Sequence, residues 1–194
     1  AFNEINGGVE ASIINSTITA GGNVTVEALD KAHILSELLA VTVSAGGAGA
    51  FPVNVGISAT YAENTIGGTV LATIDDSIVE STGGTVGVKA YADSMIEAYG
   101  QAVGVSAGGA GAVSVNVAFA AVGATNTTTN SIEASIKGDS DVDANDGTYG
   151  LVTVTATDLS DIVSELTSAS VSAGGAGGGS VNLTFALTYA ENAI

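Results

Sequence analysis

Cysteine and tryptophan are absent from this chain of 194 residues, and proline and histidine occur once each. Its only cations are Lys31, Lys89 and Lys137, set against 20 acidic residues for a net charge of −17. Without cysteine there is no disulfide framework and no thiolate metal site, so burial alone must hold the fold. The charge balance argues against nucleic acid or an anionic membrane as partner. One histidine, no arginine and no G-x-S-x-G elbow leave little for nucleophilic or lyase chemistry. Paired carboxylates serve glycoside hydrolysis, which brings Asp75 with Asp76 and Asp158 with Asp161 under consideration. Adjacent residues on a strand face opposite sides, so Asp75 and Asp76 are not expected to converge on one bond. No enzyme is expected.

What the chain has is repetition. The phrase Ser-Ala-Gly-Gly-Ala-Gly starts at Ser44, Ser106 and Ser172, at intervals of 62 and 66 residues, and carries the glycine pairs Gly46-Gly47, Gly108-Gly109 and Gly174-Gly175. A triplet centred on Asn54, Asn116 and Asn182 follows each phrase, and Asn64, Asn126 and Asn192 recur further on. Val9 to Ile13 matches Val70 to Ile74 and Ile132 to Ile136, while His33 falls where the other units hold Met95 and Asp161. A ring that does not repeat at a repeated position reads as surface decoration. The chain divides into a partial unit (residues 1–8) and three units (9–69, 70–131 and 132–194), and its ends suggest one continuous array taken from a longer protein.

Alternation of apolar and polar residues over Ala11 to Ala20, Val24 to Ala28, Val53 to Ile57 and Val113 to Val117, broken by glycine pairs at 21–22, 46–47 and 67–68, signals short strands and turns. His33 to Leu39 has some helical spacing, but the matching Ile96 to Val105 contains two glycines, so strand is the better reading. Short strands, no crossover helices and a long repeat predict an all-β, parallel β-solenoid, with tandem β-sandwich-like repeats as the rival. At roughly 20 residues per coil each unit would make three coils, the chain about nine, and the stack about 45 Å. Equivalent asparagines would then lie three coils apart and could not touch. Small residues such as Ala11, Ala20, Ala28 and Ala32 would keep the coils narrow, with valine and isoleucine filling them.

Apart from tyrosine, nothing ionisable lies between Glu37 and Glu63, Glu97 and Glu133, or Glu165 and Glu191. Such a stretch is long enough to span a bilayer, yet its polar residues, glycines and alternating valines make a poor lipid helix, so membrane insertion is not expected. A strand pair turned at the glycine phrase, buried in the solenoid or against a neighbouring molecule, fits better. Glycine and alanine there would allow close backbone approach.

Asp139, Asp141, Asp143 and Asp146 form the densest acidic cluster, where the third unit is four residues longer than the second. Alternating carboxylates on a turn can offer hard oxygen ligands to Ca²⁺. The EF-hand template fails, because Asp146 stands where its glycine belongs and Val152 where its glutamate belongs. A solvated acidic loop is the plainer reading. Ice binding would want threonines at coil spacing, and Thr153, Thr155 and Thr157 have no full counterparts in the other units.

The sequence of motifs, A-x-I, A-G-G, an alternating valine strand, V-S-A-G-G-A-G-A, V-N-V and A-E-N, resembles the repeat regions of large bacterial surface and secreted proteins of the filamentous-haemagglutinin, leukotoxin and giant-adhesin type. The resemblance covers essentially the whole chain. It implies a β-helical stalk outside the cell or on its surface, serving adhesion or scaffolding. On that reading the chain is a rigid acidic spacer. Self-association into a filament or matrix, and binding of calcium or a cell-surface glycan, are the alternatives.

Overall fold

The computed structural model describes residues 1–47, 49–145 and 150–194. Its thirteen strands follow one pattern. A long strand, a four-residue strand, a seven-residue strand and a second long strand recur as β1 (Phe2–Ile14), β2 (Thr17–Ala20), β3 (Val24–Asp30) and β4 (His33–Gly47). The next turn is β5 (Val53–Asp75), β6 (Ile78–Ser81), β7 (Val86–Ala92) and β8 (Met95–Ala110). The third is β9 (Val113–Lys137), β10 (Asp141–Ala144), β11 (Val152–Asp158) and β12 (Asp161–Ala176), and β13 (Gly179–Ala193) follows it. Among the described residues there is no helix, and His33 to Leu39 is strand.

Like stacks on like, and every pairing is parallel. The sheets run β1-β5-β9-β13, β2-β6-β10, β3-β7-β11 and β4-β8-β12. The chain is therefore a parallel β-solenoid. Each sequence repeat makes one wide turn, where three narrow ones were expected. The three spacings of the long-strand sheet amount to about 14 Å along the axis, well short of the expected 45 Å. The glycine pairs were read as turns at intervals of about 20 residues, but Gly67-Gly68 lies inside β5. There Gly68 is required because a Cβ would strike the carbonyl oxygen of Gly7 on the turn below.

Each turn has two regions. In the body, the later half of a long strand and the two short strands surround a core of Val70, Ala72, Ile74, Val79, Val86, Val88 and Ala90, with Val26 and Ala28 from the first turn. Ile34, Ile66 and Ile96 close the neck. Beyond it the second long strand and the start of the next long strand lie back to back, as a flat double-layered wing. Its interior is lined by Ala62, Ala98 and Ala124 and then by Ala102, Ala120 and Val122. Body corners are set by residues that tolerate a left-handed backbone: Asn15, Asp76 and Gly138 have φ of 47°, 46° and 65°. Serines stitch that corner across turns, with the Ser16 amide donating to Ser77 Oγ at 3.1 Å and the Ser77 amide to Ser140 Oγ at 3.2 Å.

Candidate functional site

The wing is built from the phrase that repeats most faithfully. Asn54, Asn116 and Asn182 occupy one register on β5, β9 and β13 and point inward. Asn54 Nδ2 donates to Asn116 Oδ1 at 2.9 Å, and Asn116 Nδ2 to Asn182 Oδ1 at 3.0 Å. A second chain at the neck runs from Asn3 to Asn64 (2.8 Å), Asn126 (2.7 Å) and Asn192 (2.9 Å). The expectation that these asparagines cannot touch is thus corrected. With one turn per repeat they are nearest neighbours. Each amide satisfies the next, and Asn64, Asn116 and Asn126 are fully buried, where an unpaired amide would be costly.

The glycines follow from the asparagines. A Cβ on Gly46 would lie 2.5 Å from Asn54 Oδ1, one on Gly108 would collide with the Asn54 and Asn116 amides, and one on Gly174 would collide with the Asn116 amide. Their neighbours serve the turn itself, since a Cβ on Gly47 would come to 2.9 Å from the Gly109 carbonyl oxygen and one on Gly109 to 3.3 Å from that of Gly175. The serine of the phrase joins the two layers, β8 to β5 and β12 to β9. Ser106 Oγ donates to the Asn54 carbonyl at 3.0 Å, and Ser172 Oγ to that of Asn116 at 2.9 Å. Between β4 and β5, Thr42 Oγ1 donates to the Ile57 carbonyl (2.6 Å) and Ser58 Oγ to that of Ala40 (2.7 Å).

Small inner residues bring the layers into backbone contact. Cβ atoms on Gly56 and Gly104 would sit 2.7 Å and 2.6 Å from the carbonyl oxygens of Val105 and Phe119, closer than any real Cβ contact. The close approach expected of glycine is present, and the inner positions of the strand pair are buried while its outer face is not covered within the chain. Because the alternate positions point outward, the large apolar residues are on the surface. Val53, Val55, Ile57 and Tyr61 on β5 and Val181, Leu183, Phe185, Leu187 and Tyr189 on β13 are exposed, as are Leu39, Val41 and Val43 on the opposite layer.

Register arranges the first group as a grid of five columns over three turns: Val53-Val115-Val181, Val55-Val117-Leu183, Ile57-Phe119-Phe185, Ala59-Ala121-Leu187 and Tyr61-Gly123-Tyr189. No signal in the alternation alone reveals which set faces out.

The acidic candidates do not come together. Asp141 and Asp143 are exposed on β10, with Asp143 beside Glu80 of β6, and the Asp139 amide donates to Asp76 Oδ1 at 3.0 Å. Asp146 lies outside the described residues. Among the described residues no group of three or more histidine, aspartate or glutamate side chains is placed to hold a metal ion.

Asp75 and Asp76 are the exception to the expectation that neighbours diverge. Asp76 leaves the strand with positive φ, and both carboxylates flank Gly138. Asp75 also lies 3.9 Å from Lys137 Nζ, an exposed pair worth little. Asp158 and Asp161 are engaged locally, accepting from the amides of Ser160 and Ile162 at 2.9 Å each. His33, at the exposed outer edge of the neck, hydrogen-bonds Glu97 Oε2 at 2.8 Å, and Tyr99 donates to Glu97 Oε1 at 2.9 Å. The Tyr99 bond, then that of His33, holds the Glu97 carboxyl below its ordinary value, while the same bond raises the Tyr99 phenol.

Compared with known proteins, the chain matches no family description, no curated protein and no solved structure. No helix among the described residues is long and apolar enough to cross a membrane.

Proposed function

We propose that the chain is a structural repeat module of a large extracellular bacterial surface protein, a rigid acidic scaffold rather than a carrier of chemistry. One observation carries the reading: every repeat is a single turn joined to its neighbours by four parallel ladders and two asparagine chains. Residues that recur most faithfully are consumed in that stacking. The bacterial surface and the adhesin relationship rest on the resemblance of the repeat phrases.

Geometry favours scaffold over reach. A turn of 62 residues advances the axis by only about 4.8 Å, so the protein mass goes into breadth and lateral surface. Adding one 62-residue unit is expected to lengthen the particle by about 5 Å in small-angle scattering and to raise the urea midpoint, as in a nearest-neighbour array. An unchanged midpoint would mean that the units fold independently and would sink the scaffold reading. Antibody labelling of intact cells tests the surface location. The alternative of a self-associating filament or matrix subunit is favoured by the exposed apolar wing.

A further inference from the structure

We infer that the outer face of the wing formed by β5, β9 and β13 is a docking surface for a second copy of this chain, packed sheet to sheet. The inference rests on the scaffold reading and names its partner. The surface is the grid of five columns, with Ile57-Phe119-Phe185 at its centre. Alternate residues on a strand are about 6.7 Å apart and turns about 4.8 Å, so with side chains the grid covers roughly 500 Å². That is in the range of the largest apolar patch on a soluble monomer, which is often a functional one. Two such grids face to face bury roughly 1,000 Å² in total, about the least a specific interface needs.

Charge and symmetry select the occupant. No side chain of the grid is ionisable except Tyr61 and Tyr189; Glu63 and Glu191 border it at the neck, and Glu27, Glu80, Glu133 and all three lysines belong to the body or its corners. A twofold axis parallel to the solenoid axis would lay the wings together with their strands antiparallel and the two acidic bodies at opposite ends. The bodies would then lie several Debye lengths apart, given about 8 Å at physiological salt. The same axis sets the Ile57-Phe119-Phe185 column on its own copy and the Val53-Val115-Val181 column on the column of Tyr61, Gly123 and Tyr189. It also sets the Val55-Val117-Leu183 column on Ala59, Ala121 and Leu187, so larger columns meet smaller ones. Successive turns would extend both faces in step. A lipid surface fits less well, because the wing has no lysine or arginine at its margin to meet headgroups, and the acids Glu63 and Glu191 stand there instead.

Sedimentation of the full 194-residue chain from about 1 to 100 μM is the test, with thermal melts of each variant as a folding control. The expected result is a monomer-to-dimer transition, abolished by Phe119→Lys and retained by Val43→Lys on the opposite layer. Since the chain has no cysteine, Phe119→Cys should be joined to its copy by a short bifunctional maleimide that spans the roughly 10 Å between packed sheets, and Val43→Cys should not; this second measurement decides if the lysine variant fails to fold. A wild-type chain that stays monomeric at 100 μM, a dimer lost equally in both lysine variants, or binding to neutral phosphatidylcholine vesicles in place of dimerisation would overturn the inference. A folded, heat-resistant monomer would remove the docking surface and leave the scaffold standing, whereas an unfolded chain would remove the scaffold.

Discussion

Body and wing use the same alternating strands with opposite polarity. In the body, Val70, Ala72, Ile74 and Val88 point inward while Glu10, Glu27 and Lys89 point out. In the wing, Asn54, Ser58, Ser106 and Asn116 point inward while Val55, Ile57 and Val43 point out. The body coheres by taking apolar surface from water. The wing's interior, lined mostly by alanine and glycine, buries less apolar side chain and relies more on backbone contact and chained hydrogen bonds. Interior side-chain size sets the distance between the layers, and that distance decides which kind of cohesion is available. Glycine and alanine in the wing are therefore a design for closeness, and the outward valines are its consequence.

The sharpest way to break the comparison is to make one substitution in both regions. Ile74→Ala removes a side chain that is fully buried in the body and should cost about 2–5 kcal/mol in urea unfolding. Ile57→Ala, at a position 61% exposed on the wing, should cost less than about 0.5 kcal/mol when measured dilute. Equal costs would show that the outer wing face is covered within the single chain.

Enlarging a residue should reverse the ranking. Gly108→Val drives methyl groups into two asparagine amides and should cost about 1–3 kcal/mol or more. Gly87→Thr in the body meets only ordinary contacts, at 3.5 Å to Thr153 Oγ1 and 3.6 Å to Lys89 Cε, and should be neutral or mildly stabilising because a strand glycine is replaced by a β-branched residue. Calorimetric melting of the two variants separates them.

Smaller again is the effect expected in the asparagine chain. Asn116→Ala strands the Asn54 donor and the Asn182 acceptor, for about 1–3 kcal/mol. Asn54 Nδ2 keeps a 3.3 Å bond to the Gly46 carbonyl, which places the cost toward the lower end. Asn182→Ala, at an exposed end of the chain of amides, should cost well under half as much. A flat response along the three positions would mean that the amides act separately and not as a chain.

Much of the fold was legible because parallel stacking in register demands like on like. The matches of Val9 to Ile13 with Val70 to Ile74, of Asn54 with Asn116 and Asn182, and of His33 with Met95 and Asp161 are all hydrogen-bonded registers in the structure. The number of turns per repeat was misread from glycine spacing, although the sequence held the cue. Coils of 20 residues would need likeness at intervals of 20, and likeness appears only at intervals of 61, 62 and 66. Wing polarity was not legible, since period-two alternation is unchanged when a strand is turned over. Nor was the left-handed corner at Asp76, where Asn15 and Gly138 in matching places were the available hint.

The least of the expected effects lies on the outer side of the neck, where body and wing meet. Tyr99, ahead of His33, depresses the Glu97 carboxyl below 4.5. A depressed acid contributes stability that is fully present above its unfolded value of 4.5 and lost as pH falls through the lower folded value. The same bond raises the Tyr99 phenol above 10.0, so that contribution is present below 10.0 and lost as pH rises through the higher folded value. All three side chains are near the surface, so the pH dependence is expected to be slight. Tyr99→Phe should return the Glu97 carboxyl most of the way to 4.5 in an NMR titration, and His33→Gln should return it less far. If the histidine variant moved it further, the neck would be held by charge between turns rather than by the tyrosine bond within one. The acid limb of stability should then flatten with added salt, which a hydrogen bond between near neighbours would resist.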